Sequence, residues 1–368
     1  MNGTAPDPTR VARARRLRVF RRTLGFVRLA CTVLALAALY GIGWVPALAA
    51  ALAPAGAIVQ TLVTIAVVLV AVWLVGLPFA IAFYRRERDE GLSVQGGGGF
   101  AVDQVKALAL SVVLIGAASA AWYAVAPLPA WWLFAAIGAF ALAALATLIG
   151  PLLLRAFYRL DPIDEALAGR VRAVAARSGV RVDRVLSWRV SEKATIANAA
   201  VLGLGPTKQI VIADTLAANR PPEQVEAVVA HELAHVVHRD TLRGFLVYGA
   251  SLAFAVLLLR ALLDALTARG AADPATFPLL VAGIELIALA VSPLVLAYSR
   301  SREAAADRFA ARHSTADDLG RALVWTTSRN LADPDPPRWE EVLFMSHPSL
   351  SSRLRALGQP TEASAASR

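Results

Sequence analysis

The sequence has almost no cysteine. Cys31 stands alone, so no disulfide can form within the chain and no oxidising compartment is required. It lies in an apolar run, where a small buried packing residue is the ordinary reading. Lysine is nearly missing too: Lys106, Lys193 and Lys208 are the only lysines among 37 basic residues. Charge of either sign is thin. Charged residues make up 17% and apolar residues 57%, with a mean hydropathy of +0.56, which excludes an ordinary soluble domain. The charges are also clustered, and that leaves long uncharged runs. A net charge of +10 does not point to nucleic acid. Arg10, Arg13, Arg15, Arg16, Arg18, Arg21 and Arg22 directly precede the first apolar run, where a basic patch serves as topology signal and lipid-headgroup contact. No RNA-type aromatic motif or finger spacing accompanies them.

Six runs are long enough to cross roughly 30 Å of hydrocarbon as helices. They cover about 27–51, 57–83, 104–126, 130–154, 244–267 and 277–299. The first reads as an uncleaved anchor, because its apolar stretch exceeds a signal-peptide core. Arginines cluster on alternate connections: Arg85, Arg86 and Arg88, then Arg155 and Arg159, then Arg300 and Arg302. The opposite connections carry only Arg269. The positive-inside rule then puts the N-terminus and both hydrophilic segments, 156–243 and 300–368, on the cytoplasmic side of a cell membrane. Arg260 and Glu285 fall at similar depth, about 12 Å by helix rise, and are expected to face each other or a watery cavity. Gly96–Gly99 reads as a flexible spot in a cytoplasmic loop over 84–103.

The hydrophilic segments mix helix and strand patterns. A helix over Asp164–Ser178 precedes strand-like Val182–Val190 and Ala199–Leu204, a Gly205–Pro206 turn and a strand at Gln209–Ala213. Another helix starts near Pro221 and runs through His238. Two more are expected over Arg300–His313 and 317–330, before a disordered tail at 359–368.

The strongest motif is His231-Glu232-Leu233-Ala234-His235, an H-E-x-x-H inside the expected helix. Positions i and i+4 share one helix face, so both imidazoles can reach one ion. Zinc accepts neutral histidine nitrogens and, in catalytic sites, usually takes three protein ligands and a water. Glu232 projects beside that face, placed to accept the water's proton. A third histidine six residues beyond His235 would mark a metzincin, but that position is Thr241. The remaining route is a carboxylate from a second helix. Glu303 supplies it, and Asp307, one turn later, can hydrogen-bond a ligand histidine from behind. His238 and His313 read as packing or surface residues. The expected fold is therefore mostly α: a polytopic membrane helical bundle of about six spans with a cytoplasmic-side zincin-type α+β catalytic region. The layout is a basic tail at 1–26, four spans over 27–155, a catalytic region at 156–243, two spans over 244–299, and the third-ligand helix with a C-terminal segment at 300–358.

At these residues the chain resembles the membrane-embedded gluzincin proteases that include the type I CAAX prenyl endopeptidase and the heat-shock protease HtpX. Besides the two metal motifs, Asn198-Ala199 with Gly203, Lys208 to Val211, Asp214 to Leu216, and His347-Pro348 with Arg353 carry the resemblance. Arg85–Gln95 and Asp103–Lys106 resemble the cytoplasmic loop of the prenyl-protease branch. The resemblance implies that Asn198, Ala199 and Ala200 bind substrate as an extended peptide, which is strand addition at a sheet edge. It also implies that His347 and Arg353 steady the oxyanion or the substrate backbone.

The expected protein is a membrane zinc metalloendopeptidase with one zinc ion, held by His231, His235 and Glu303, and Glu232 as base. Its expected partners are peptide or protein substrates, including membrane-associated ones, and the lipid bilayer, with no nucleic acid. The alternative is a catalytically silent membrane scaffold of the same fold; an intact Glu232 argues against it.

Overall fold

The structure is a computed structural model that describes residues 7–203 and 208–360. The expected Gly205–Pro206 turn, and the expected tail beyond residue 360, lie outside the described residues.

Helix α1 (Pro8–Gly41) opens with Asp7, whose carboxylate accepts the Thr9 amide at 2.9 Å, and with Pro8 at its first position. The arginine-rich stretch is thus helical and continuous with the first apolar run. That helix breaks at Ile42–Gly43, where Gly43 takes φ 78°, a left-handed conformation open to glycine without steric cost. A short helix α2 (Trp44–Leu52) follows, so the expected run 27–51 is two helices and not one. α3 (Ala57–Asp89) ends in Arg86 and Arg88, which suit the negative end of a helix dipole. α4 (Gly97–Val125) takes Gly97–Gly99 into its first turn, where a flexible loop was expected. The reason lies in contacts around it. The Tyr84 hydroxyl donates to the Gln95 carbonyl at 2.9 Å, the Gln95 amide donates to Asp103 at 2.7 Å, and Tyr84 stacks on Phe100. α5 (Trp131–Phe157) is bent by 48° between 131–146 and 148–157.

The mixed region begins with β1 (Leu160–Pro162) and α6 (Glu165–Arg177), then β2 (Arg184–Trp188), β3 (Ala199–Leu202) and β4 (Gln209–Ala213). The sheet order is β1-β2-β4-β3, with β2 and β4 parallel and the outer pairs antiparallel. Ile210, Val211 and Ile212 of the interior strand β4 are fully buried, as a strand covered on both faces requires. β3 forms one edge, in register Ala200↔Val211. After α7 (Asp214–Asn219), helix α8 (Pro222–Val237) lays Val225, Val229 and Leu233 into the same core as Ile210 and Ile212.

Two long helices follow, α9 (Asp240–Leu266) and α10 (Phe277–His313). The expected boundary at residue 300 is absent: α10 runs without interruption from its apolar part to Glu303 and Asp307. The chain ends in α11 (Ala316–Arg329), α12 (Arg338–Phe344) and α13 (Leu350–Ala356). Among the described residues five helices are long and apolar enough to cross a membrane, or six if bent α5 is one span. Leu34, Ile58, Leu148 and Leu294 are each more than half exposed on them, which a surface facing lipid permits and one facing water does not. The chain is a multi-pass membrane protein.

Arg260 does not meet Glu285. It pairs with Asp264 on its own helix and donates to the Ala126 carbonyl at 2.8 Å. An acid at i+4 and a nearby carbonyl satisfy the guanidinium without a second helix.

The arginines of α1 meet carboxylates of the same chain. Arg13 reaches Glu90 and Arg21 reaches Glu87, each at 2.8 Å. Arg18 pairs with Asp333 at 2.9 Å and also with Glu340, while Arg22 reaches Glu340 at 2.9 Å. Asp333 and Glu340 are buried, so their charges need these partners. The Arg18→Leu variant should therefore lose about 3 kcal/mol of stability, read as a lower unfolding temperature in detergent. An unchanged melt would show that Arg15, 3.8 Å from Asp333, and Arg22 suffice.

Candidate active site

The site begins with helix periodicity. His231 and His235 stand one turn apart on α8, their ring centroids 5.2 Å apart. α10 crosses α8 where both helices carry alanine: Ala234 and Ala306 are fully buried against each other's surroundings, with Phe309 beside them. Small residues at the crossing let α10 bring its carboxylate close. Glu303 Oε2 lies 3.2 Å from His231 Nε2, and Glu303 Oε1 lies 3.5 Å from His235 Nε2.

Both imidazoles are held from behind in the same way. Asp307 Oδ1 lies 2.9 Å from His231 Nδ1. Arg353, on α13, grips Asp307 with two hydrogen bonds, Nε to Oδ2 at 2.8 Å and Nη2 to Oδ1 at 2.6 Å. Asp240 Oδ2 lies 3.0 Å from His235 Nδ1, and Arg302 Nε donates to Asp240 Oδ1 at 2.6 Å. A carboxylate behind each Nδ1 favours a proton there, so that Nε2 is the nitrogen each ring would offer to a metal at the shared point. Asp240 was not anticipated. It opens α9, and it is turned back onto α8 by Arg239, which takes φ 55° between the two helices. An acid five residues after His235 was visible in the sequence, but the left-handed residue that folds it back was not.

His347 Nε2 lies 3.4 Å from Glu303 Oε1, with Ser346 Oγ 2.8 Å from its Nδ1. The end of α12 just before it is tied down by Arg300, which donates to the carbonyls of Glu341 and Met345 at 3.0 and 2.8 Å. Glu232 is half-buried, and its carboxyl has no hydrogen-bond partner among the described residues. His238 stands edge-on to Phe309, and His313 stacks on the same ring, so neither joins the cluster. Asn198, Ala199 and Ala200 lie at and just before the start of edge strand β3.

Burial opposes a charged His231, but the Asp307 and Glu303 carboxylates outweigh it and push the imidazole up to about 9. Burial raises Asp307 and Glu303, yet His231 on both and Arg353 on Asp307 hold them below the usual carboxylate range. Glu232 is pushed up by desolvation, with the nearby imidazoles opposing. Desolvation also lowers His347, which keeps it neutral at pH 7.

The donor set fits a metal. One ligand atom from each of His231, His235 and Glu303 can be chosen so that all lie within 4.8 Å of one another. Glu303 Oε2 is buried, and its 3.2 Å approach to His231 Nε2 does not have hydrogen-bond geometry, an expensive state for a carboxylate oxygen. Tetrahedral ligands at zinc distances stand about 3.4 Å apart. The 3.2 and 3.5 Å nitrogen-to-oxygen separations are of that size.

Membrane-spanning helices joined to a buried two-histidine, one-glutamate cluster define a class: a membrane-embedded metalloprotease. Comparison with known proteins gives the family. A model of peptidase family M48 matches residues 164–361, and a model of the CAAX prenyl protease N-terminal region, five membrane helices, matches 7–157. The chain belongs to peptidase family M48. A Bacillus subtilis protein described as uncharacterized metalloprotease YhfN is 25% identical over 298 residues, 77% of this chain and 69% of that one. A probable CAAX prenyl protease 1 of Schizosaccharomyces pombe is 28% identical over 226 residues, 59% of this chain but 48% of that one, so the match spans about half its length. A protease HtpX homolog of Trichormus variabilis is 28% identical over 225 residues, 55% and 77% of the two chains. The crystal structure of S. mikatae Ste24p superposes with a TM-score of 0.78 at 20% identity, covering 95% of this chain and 89% of that one, a likeness of fold.

Two measurements follow from the geometry. Below pH about 9 His231 carries a proton that an incoming metal must displace. Metal affinity should rise with pH up to that point, by about tenfold per unit at most, with proton release seen by calorimetry in buffers of different ionisation enthalpy. Affinity independent of pH and buffer would contradict the assignment of ligands. The Asp240→Asn variant should weaken metal binding about 10- to 100-fold in a chelator competition.

Proposed function

We propose that this M48 metalloprotease is a zinc endopeptidase with His231, His235 and Glu303 as ligands and Glu232 as general base. The observation that carries this reading is the convergence of those three donors beside a Glu232 carboxyl with no hydrogen-bond partner among the described residues. Zinc, when bound, would polarise the scissile carbonyl and acidify the attacking water. Glu232 accepts the proton of that water and delivers it to the leaving nitrogen. Desolvation raises its pKa, which strengthens the carboxylate as the acceptor of the water's proton. His347, neutral and beside Glu303, donates a hydrogen bond to the developing oxyanion. Arg353 works through Asp307: its two-pronged grip orients the carboxylate behind His231 and so fixes the imidazole.

The substrate lies extended along β3, with the backbone of Asn198, Ala199 and Ala200 as its recognition edge. Substrates are peptides or proteins held at the membrane. α10 leads from its apolar part straight to the site, so the cleaved bond is presented close to the bilayer surface. The arginine distribution supports a cytoplasmic N-terminus and active site.

The Glu232→Gln variant separates this reading from a silent scaffold. Wild type and variant should bind zinc equally, while peptide cleavage by the variant falls about 10²- to 10⁴-fold. Equal cleavage by both would remove Glu232 from the mechanism. No cleavage by either, with zinc bound, would favour the scaffold.

A further inference from the structure

The backbone leading into β3 alternates between two directions, as an extended chain must. The carbonyl of Ile196 accepts Thr215 Oγ1 at 2.5 Å, and the carbonyl of Asn198 accepts the Ala213 amide at 2.9 Å. These groups face the body of the sheet. Thr195, Ala197, Ala199 and Val201 therefore turn their polar groups to the outer edge.

That outer edge is covered along half its length. The Thr195 amide donates to Leu92 O at 2.9 Å, and its carbonyl accepts Arg329 Nε at 2.7 Å. At Ala197 one side chain does both jobs. The Ala197 amide donates to Asn330 Oδ1 at 2.7 Å, and Asn330 Nδ2 donates back to the Ala197 carbonyl at 3.0 Å. The Asn330 amide makes the two bonds that a neighbouring strand would make. Beyond it the backbone pairing ends among the described residues, although Ala199 is itself buried and Val201 half-buried. The Ala199 amide has only a local contact to Asn198 Oδ1 at 2.9 Å, and no outer partner reaches the Ala199 carbonyl or Val201 among the described residues.

Asn330 is also held firmly. It caps the C-terminus of α11, and the next residue, Leu331, takes φ 49°, uncommon for a bulky side chain. Leu331 is buried with Ala14, Leu17 and Leu92, and that packing holds the strained turn that aims Asn330 at Ala197.

We propose that Asn330 is a register stop for the substrate strand. It limits peptide pairing to Ala199 and Val201 and so sets which bond of a long substrate stops at the metal site. This rests on the proposed pairing of substrate with β3. Pairing in a sheet can slip by two residues without changing which side chains face inward. A fixed end to the edge removes that freedom.

The test uses the full-length protein in detergent and a nested set of internally quenched peptides lengthened residue by residue at either end. In the wild type, KM should fall with length at the end nearest Ala197 and then level off. With Asn330→Ala, KM should keep falling over the next two residues, about 3- to 10-fold, with kcat little changed and cleavage appearing at a second bond two residues away. Asn330→Asp keeps the acceptor for the Ala197 amide and frees only the carbonyl, so a fall of about threefold is expected. A folded variant of either kind that levels off at the wild-type length and cleaves the wild-type bond overturns the register stop. Peptides N-methylated at each position test the pairing itself. Raised KM at alternate positions in the wild type supports strand pairing; no effect at any position overturns the pairing and the stop together.

Discussion

The crossing of α8 and α10 is the constraint on which the rest depends. Two imidazoles on one helix face are an incomplete site until a carboxylate arrives from elsewhere in the chain. Ala234 and Ala306 permit the close approach, and Glu303 then sits within 3.2 Å of His231 Nε2. Larger residues at the crossing would hold the helices apart by more than a ligand bond can tolerate. Because α10 is continuous, the site is fixed at a set height above the apolar part of that helix.

Burying this many charges is costly unless each is answered. The structure answers them in tiers. Asp307 and Asp240 stand behind the two histidines, and Arg353 and Arg302 stand behind the aspartates. The arginines come from α13 and α10, so the histidine–glutamate cluster, the C-terminal segment and the start of α9 form one electrostatic unit. The same logic extends outward. Arg18 and Arg22 of α1 answer Asp333 and Glu340. The arginine-rich start of α1 is thereby part of the fold.

The catalytic region is also tied to the loop between α3 and α4. Lys193 pairs with Asp103 at 2.5 Å and lies over the Tyr158 ring, and its carbonyl accepts the Val94 amide at 2.9 Å. These contacts order the glycine run at the start of α4. They also lead directly into the stretch whose outer edge is paired up to Ala197 and, among the described residues, unpaired beyond. The membrane region and the β3 edge are thus coupled through one short loop.

Much was legible before any coordinates. Apolar length set the number of membrane runs, and the i, i+4 rule put His231 and His235 on one face. Those are local properties, carried by residues close in sequence and by a helix geometry that barely varies. Glu303 and Asp307 were legible as a pair for the same reason. What only the tertiary structure decided was who meets whom across the chain: Glu303 with the histidines, Arg353 with Asp307, Asp240 folded back through a left-handed Arg239, and Asn330 laid against Ala197. A charged side chain has many possible partners of similar energy, and neither pattern nor propensity ranks them. The choice is made by helix crossings and strained turns, which exist only once the chain has packed.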